Sequence, residues 1–242
     1  MGNLRGNPIE IAQKFIERHF PSCESAILAG SVVRGEETET SDLDVVIFDK
    51  NISSSYRESV VFSGWPIEVF VHNLTSYKDF FQSDYERARP SMPRMVAEGI
   101  VLKDDGSILS IKEEAKKLLE LGPKEWSEEV IKTKRYFITD LLDDFIGSSN
   151  RAEEIFIANE LAALVSEFVL RTNRKWVGTS KWVFRSLSSY DEEFAVRFVG
   201  AFDAYYRTGE KMSIIDLVAE ILRPHGGRLF AGYSLGKGDK DK

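Results

Sequence analysis

Asp42, Asp44 and Glu68 are the residues of this 242-residue chain whose types and spacing point most directly to chemistry. They stand in SDLDVVIF (41–48) and IEVFV (67–71), which are otherwise β-branched and apolar runs of the kind that form buried strands. Side chains at i and i+2 of a strand share a face, so Asp42 and Asp44 point one way and Leu43 the other. Glu68 faces opposite to Ile67 and Val69, and if its strand neighbours that of Asp44, three carboxylates converge on one patch. Two such charges ~4 Å apart at an effective dielectric near 20 repel by about 4 kcal/mol, so the cluster needs a proton or a cation between its members. Hard oxygen ligands in this number suit Mg²⁺, which pairs carboxylates with substrate phosphates. The plainer alternative is a strand end capped by two aspartates, with Glu68 in solvent.

The stretch upstream, LAGSVVRGEETETSDLD, weighs against the plainer alternative. Gly30-Ser31 follows an apolar strand directly. Glycine allows close backbone approach, and a serine at a helix start offers a hydroxyl beside unpaired N–H groups, which together make an anion site. Arg34 is near enough to pair with a bound phosphate, or it is a solvent-facing turn residue.

These segments require strands that position them, and the first half of the chain supplies an alternation of helix and strand. PIEIAQKFIERHF starts at Pro8 and repeats apolar residues at helical spacing. SAILAG and DVVIF are strands, YRESVVF and IEVFVH are the arms of an antiparallel hairpin around SGWP, and TSYKDFFQSDYERA is a capped helix. MVAEG, a short IVL strand and a DDGS turn then lead into the helix SILSIKEEAKKLLEL, which ends at Gly122-Pro123. Beyond it every periodic segment is helical. One of these, AEEIFIANELAALVSEFVLR, is apolar around most of its circumference, with Glu153, Glu160 and Glu167 on a narrow polar stripe, as in the central helix of a bundle. The fold class is α+β, with a mixed-sheet domain at 1–122 and a helical domain at 123–242. The charged tail GKGDKDK is expected to fray.

Composition narrows the partners. The net charge of −7 disfavours a grip on extended nucleic acid, which calls for a basic face. Residues 1 to 8 lack the apolar core of a signal peptide, and no apolar run approaches the ~20 residues of a membrane span. The single cysteine, Cys23, forms no internal disulfide, which fits a reducing cytoplasm, and reads as a small buried hydrophobe. His19, His72 and His225 are scattered, which argues against zinc. The chain is expected to be a soluble cytoplasmic protein.

The pattern GSVVRG…SDLD…IEVFV resembles the nucleotidyltransferase signature of the polymerase-beta superfamily, and within it the bacterial enzymes that modify aminoglycosides and lincosamides. The helical half, with RYFITDLLDDF and RKWVGTSKWVFRSL, is similar to the bundle that accompanies such domains, and the resemblance adds an acceptor-binding role to the domain at 123–242. The resemblance implies a polymerase-beta-like catalytic domain in which Gly30 and Ser31 hold the β- and γ-phosphates of a nucleoside triphosphate, with ATP the expected donor. It implies that Asp42 and Asp44 bind Mg²⁺, one ion or two, and that Glu68 is a further ligand or the base. An acceptor hydroxyl would then displace pyrophosphate. The partners so implied are a nucleoside triphosphate and a small hydroxyl-bearing acceptor. Two alternatives stand beside it: nucleotidylation of a protein partner, as in antitoxin-like relatives, and a nucleotide-binding protein without catalysis.

Other candidates are less sharply marked. The base has rivals in Asp140, Asp143, Asp144 and Glu160 of the helical half, each also readable as a solvated helix residue. Lys181 and Arg185, four apart in TSKWVFR, share a helix face and are candidates for the triphosphate, or a surface pair beside Trp182. Trp65 and Trp176 would line an acceptor pocket or sit in the core.

Overall fold

The computed structural model of the protein describes residues 6–236. By packing, the chain divides into two compact units, Met1–Gly122 and Pro123–Lys242. The tail expected to fray lies, beyond Gly236, outside the described residues.

The first unit opens with helix α1 (Pro8–His19), started by Pro8 and capped by Asn7, whose side chain accepts the N–H of Ile9 at 2.9 Å. Strands β1 (Ser25–Ala29), β2 (Leu43–Phe48), β3 (Tyr56–Phe62), β4 (Trp65–His72) and β5 (Ile100–Lys103) form one sheet in the order β3-β4-β2-β1-β5. β2 and β4 are parallel and the other neighbours antiparallel. The β3–β4 hairpin turns on Ser63 and Gly64, both at positive φ, so Trp65 and Pro66 belong to the strand and not to the turn.

Alternation splits the strand residues between two cores. Leu43, Val45, Ile47, Ile67, Val69 and Val71 pack under α1 with Phe15 and Ile16. Ile27, Val46 and Phe48 face the other way, under α2 (Tyr77–Arg87), α3 (Ser91–Glu98) and α4 (Ile108–Leu121). The prolines of RPSMPR read from sequence as a turn ahead of MVAEG, yet Ser91–Glu98 is the helix α3. Pro93 falls within its first turn, where no intrahelical N–H bond is lost. Buried Asp84 accepts the N–H of Met92 at 2.8 Å and so ties α2 to α3.

The second unit holds α5 (Glu128–Gly147), α6 (Arg151–Thr172), α7 (Lys181–Tyr190), α8 (Glu192–Thr208) and α9 (Met212–Leu222). The buried stripe of α6 runs through Glu154, Ala158, Leu161, Val165 and Phe168. Glu154 turns inward because Lys211 meets it at 2.8 Å and the Tyr205 hydroxyl donates to it at 3.3 Å. That rotation leaves Phe156 on the outside at 76% exposure, so α6 is not enclosed all round as its composition suggested. Among the described residues no helix is long and apolar enough to cross a membrane.

A tight joint between α3 and β1 lies at Gly99, where a Cβ would lie 2.2 Å from Cγ2 of Ile27 and 2.6 Å from the carbonyl oxygen of Met95. Gly99→Ala is expected to destabilise the unit by about 1–3 kcal/mol through overpacking. Urea unfolding checks this: the midpoint should fall with the slope unchanged, and an unaltered midpoint would mean that α3 is not held against β1.

Candidate functional site

Parallel pairing of β2 with β4 sets Asp44 directly beside Glu68, and the same register places Leu43 beside Ile67 on the α1 face. Asp42, one residue ahead of β2, points to the side of Asp44. The three carboxylates offer oxygens that all lie within 4.8 Å of one another, and each residue is half-buried. They are the one such group of metal-ligating side chains among the described residues.

β1 closes the cluster from its other side. Ala29 pairs with Asp44, and Gly30 follows with φ +85°. A Cβ at Gly30 would stand 2.0 Å from Oδ2 of Asp44, so the carboxylate lies against bare backbone that any side chain would displace. Ser31 begins only a single 3₁₀ turn, Val32–Arg34, rather than the helix expected from sequence. Its hydroxyl donates to Oγ of Ser41 at 3.2 Å, and that oxygen also accepts the N–H of Thr38 at 2.8 Å. The phosphate-type turn is thereby tied to the segment that carries the aspartates.

Burial, then the Asp42 and Glu68 charges, raise the Asp44 carboxyl to about 6. Such a group is poised to exchange a proton for a metal cation, so the donor set fits a hard divalent ion. Glu68 has a counter-charge that sequence reading did not single out, Arg57 of β3, which donates to its Oε2. The signal was available: a two-residue turn at 63–64 sets Ser59 opposite Glu68, leaving Arg57 on the diagonal of the same face.

Arg34 is not a loose turn residue, since it meets Glu36 at 3.0 Å and Glu98 at 3.4 Å. Lys181 and Arg185 lie on α7 of the second unit, with Arg185 stacked over the Trp182 ring at 4.8 Å. Asp140, Asp144 and Glu160 are exposed on α5 and α6, while Asp143 is paired with Arg228. Trp65 is a core residue at 1% exposure, its Nε1 donating to the Gly6 carbonyl at 3.1 Å, which removes it from any pocket. Cys23 is buried, and its thiol is pushed up by that burial. His72 is buried beside Ser55, whereas His19 stacks on Phe15 and His225 meets Phe168 edge-on.

The raised Asp44 gives a prediction with a definite sign. Its folded pKa exceeds the unfolded one, so its contribution is fully present below about 4 and is lost as pH rises through about 6. In chelator-treated protein, Asp44→Asn should therefore raise the melting temperature at pH 8 and change it little at pH 4. Melting curves across that range check this, and a variant that melts lower at pH 8 would contradict it.

Residues 9–89 match the family described as nucleotidyltransferase domain, a span that runs from α1 through α2 and takes in Gly30, Ser31 and all three carboxylates. No curated protein matches the chain. Among solved structures, a nucleotidyltransferase-like protein from Exiguobacterium sibiricum 255-15 is similar at 9% identity, over 90% of this chain and 75% of that one, with a TM-score of 0.46. A likeness that loose carries no argument about function. The family match falls on the segment that brings the carboxylates together, and the domain that carries them is a nucleotidyltransferase domain of the polymerase-beta type.

Proposed function

We propose that the chain transfers a nucleoside monophosphate from a nucleoside triphosphate, with ATP the expected donor, to a hydroxyl of a small-molecule acceptor. The observation that carries the reading is the meeting of Asp42, Asp44 and Glu68 within 4.8 Å beside the bare backbone of Gly30. Nucleotidyl transfer in general follows from the family, which implies a triphosphate and a divalent metal. The acceptor class, the choice of Mg²⁺ and the choice of ATP are the proposal.

Asp42 and Asp44 would hold Mg²⁺, which supplies charge neutralisation at the phosphates, with Glu68 beside them. The backbone of Gly30 and the hydroxyl of Ser31 would cradle the β- and γ-phosphates, an arrangement that positive φ at Gly30 favours by clearing a path for the N–H groups. Arg34 would exchange a carboxylate partner for a phosphate oxygen. The acceptor oxygen forms a bond to the α-phosphorus as the bond to the bridging oxygen of the β-phosphate breaks, and pyrophosphate leaves. Glu68 is the carboxylate we assign to the acceptor proton, because it stands in the cluster itself.

The test is pyrophosphate release from each triphosphate in the presence of Mg²⁺ and a panel of hydroxylated acceptors. Asp44→Asn is expected to lower turnover by about 10²–10³-fold while leaving the circular dichroism spectrum unchanged, the scale of loss seen when a key electrostatic group is removed. Turnover retained by the folded variant would refute the assignment. Gly30→Val should reproduce the loss, since its side chain would occupy the place of the Asp44 carboxylate.

A further inference from the structure

On the other side of the carboxylates from Gly30 the sheet opens into a recess of about 570 Å³. Its floor is the face of β3 and β4 next to Asp44, and its roof is α2 and α3. Phe70, Phe80, Met92 and Met95 supply an apolar lining, with His72 and Arg57 among them. Phe80 meets the His72 ring edge-on at 4.6 Å, and the Arg57 guanidinium lies 5.0 Å from the centroid of Phe70. Burial pulls the His72 imidazole down to about 4, so it enters this wall as a neutral ring.

We propose that this recess is the acceptor subsite, and that the acceptor is a hydroxyl-bearing molecule with a flat or aliphatic apolar body and no cluster of ammonium groups. The proposal rests on the nucleotidyl-transfer reading above. Two independent features lead to it, one geometric and one chemical.

The geometric feature is the order of groups across the sheet. Ala29, Asp44, Glu68 and Ser59 lie side by side on β1, β2, β4 and β3. At roughly 4.8 Å per strand this row spans about 14 Å, with the phosphate turn at its β1 end, and the recess adjoins it at Asp44 and extends along β3 and β4 past Arg57, Phe70 and His72. Displacement at phosphorus puts the attacking and leaving oxygens in line. With pyrophosphate leaving toward Gly30 and Ser31, the hydroxyl must approach from the β4–β3 side, the side from which the recess reaches Asp44.

The chemical feature is the state of the nearby carboxylates. Asp84 is 2% exposed and already accepts from Arg87 Nε at 2.9 Å and from the N–H of Met92 at 2.8 Å. Glu68 is engaged by Arg57. Asp44, the remaining carboxylate on the recess, is the one assigned to Mg²⁺, so a polyammonium acceptor would meet two guanidinium groups and an apolar lining with no further carboxylate open to it. A neutral or anionic ring system meets sulfur, aromatic faces and cations, all of which favour it. This separates the chain from the aminoglycoside side of the resemblance and leaves less basic hydroxylated compounds.

The test uses the full chain with 1-anilinonaphthalene-8-sulfonate, a flat apolar anion, as the probe and kanamycin as the polyammonium competitor. Wild type, Met95→Trp, which fills the recess, and Phe80→Ala, at a position already 46% exposed, are compared. Nucleotide-dependent thermal stabilisation is measured on the same samples with Mg²⁺ and ATP. The expected result is saturable dye binding by folded wild type, weakened about tenfold or more in Met95→Trp and more modestly in Phe80→Ala. Millimolar kanamycin should leave the dye in place, and the nucleotide shift should persist in both variants. Dye binding indifferent to both substitutions, or displaced by kanamycin, would overturn the proposal while leaving nucleotidyl transfer standing. Loss of the nucleotide shift together with the dye would place the nucleobase in the recess and overturn the acceptor assignment. A dye pattern as expected, with no nucleotide shift even in wild type, would instead defeat the transfer reading on which the assignment rests.

Discussion

Mutual repulsion among Asp42, Asp44 and Glu68 is the constraint to which the rest of the first unit answers. The pairing that creates it is the parallel register of β2 and β4, which sets Asp44 beside Glu68, and no slip of one residue is tolerable. Such a slip would send Leu43, Val45 and Ile47 out of the α1 core and turn the aspartates into it. Apolar burial on one face thus enforces an electrostatic conflict on the other. Burial and the neighbouring charges leave their mark in the raised Asp44 carboxyl.

Around that conflict the sheet is built asymmetrically. On the β1 side Gly30 presents backbone and the Ser31–Ser41 hydroxyl pair steadies the turn. On the β3 side Arg57 supplies positive charge to Glu68 and stands beside the aromatic face of Phe70. The β1 side is therefore suited to a highly charged group, and the recess that opens from Asp44 along β3 and β4 to a largely apolar one. A transferase that joins two chemically different substrates needs such a difference between its two approaches.

Much of this was legible from local pattern. Alternation in SDLDVVIF and IEVFV was enough to put the carboxylates on one face, because period two is a covalent property of extended chain. The hairpin followed from the Ser63-Gly64 turn, although Trp65 was read as part of it rather than as a buried strand residue. What local pattern could not supply was tertiary competition. Pro93 reads as a break until Asp84 is seen to cap the helix that contains it. The circumference of α6 reads as apolar apart from the stripe of Glu153, Glu160 and Glu167 until Glu154 is drawn inward by Lys211 and Tyr205, which turns Phe156 to solvent. The recess beside Asp44 was equally invisible, since it is walled by β4 together with two helices that follow it in the chain.

The most direct measurement is a titration of Mn²⁺ into metal-free protein at pH 7.5, followed by the electron paramagnetic resonance signal of the free ion. A non-hydrolysable ATP analogue would be present or absent, with wild type and the Asp42→Asn/Asp44→Asn double variant compared. The account predicts that wild type removes Mn²⁺ from solution, more tightly with the nucleotide than without it. The double variant should do neither beyond what the nucleotide alone binds. Equal uptake by the two proteins would contradict it, because the carboxylates brought together by β2 and β4 would then not be the cation site.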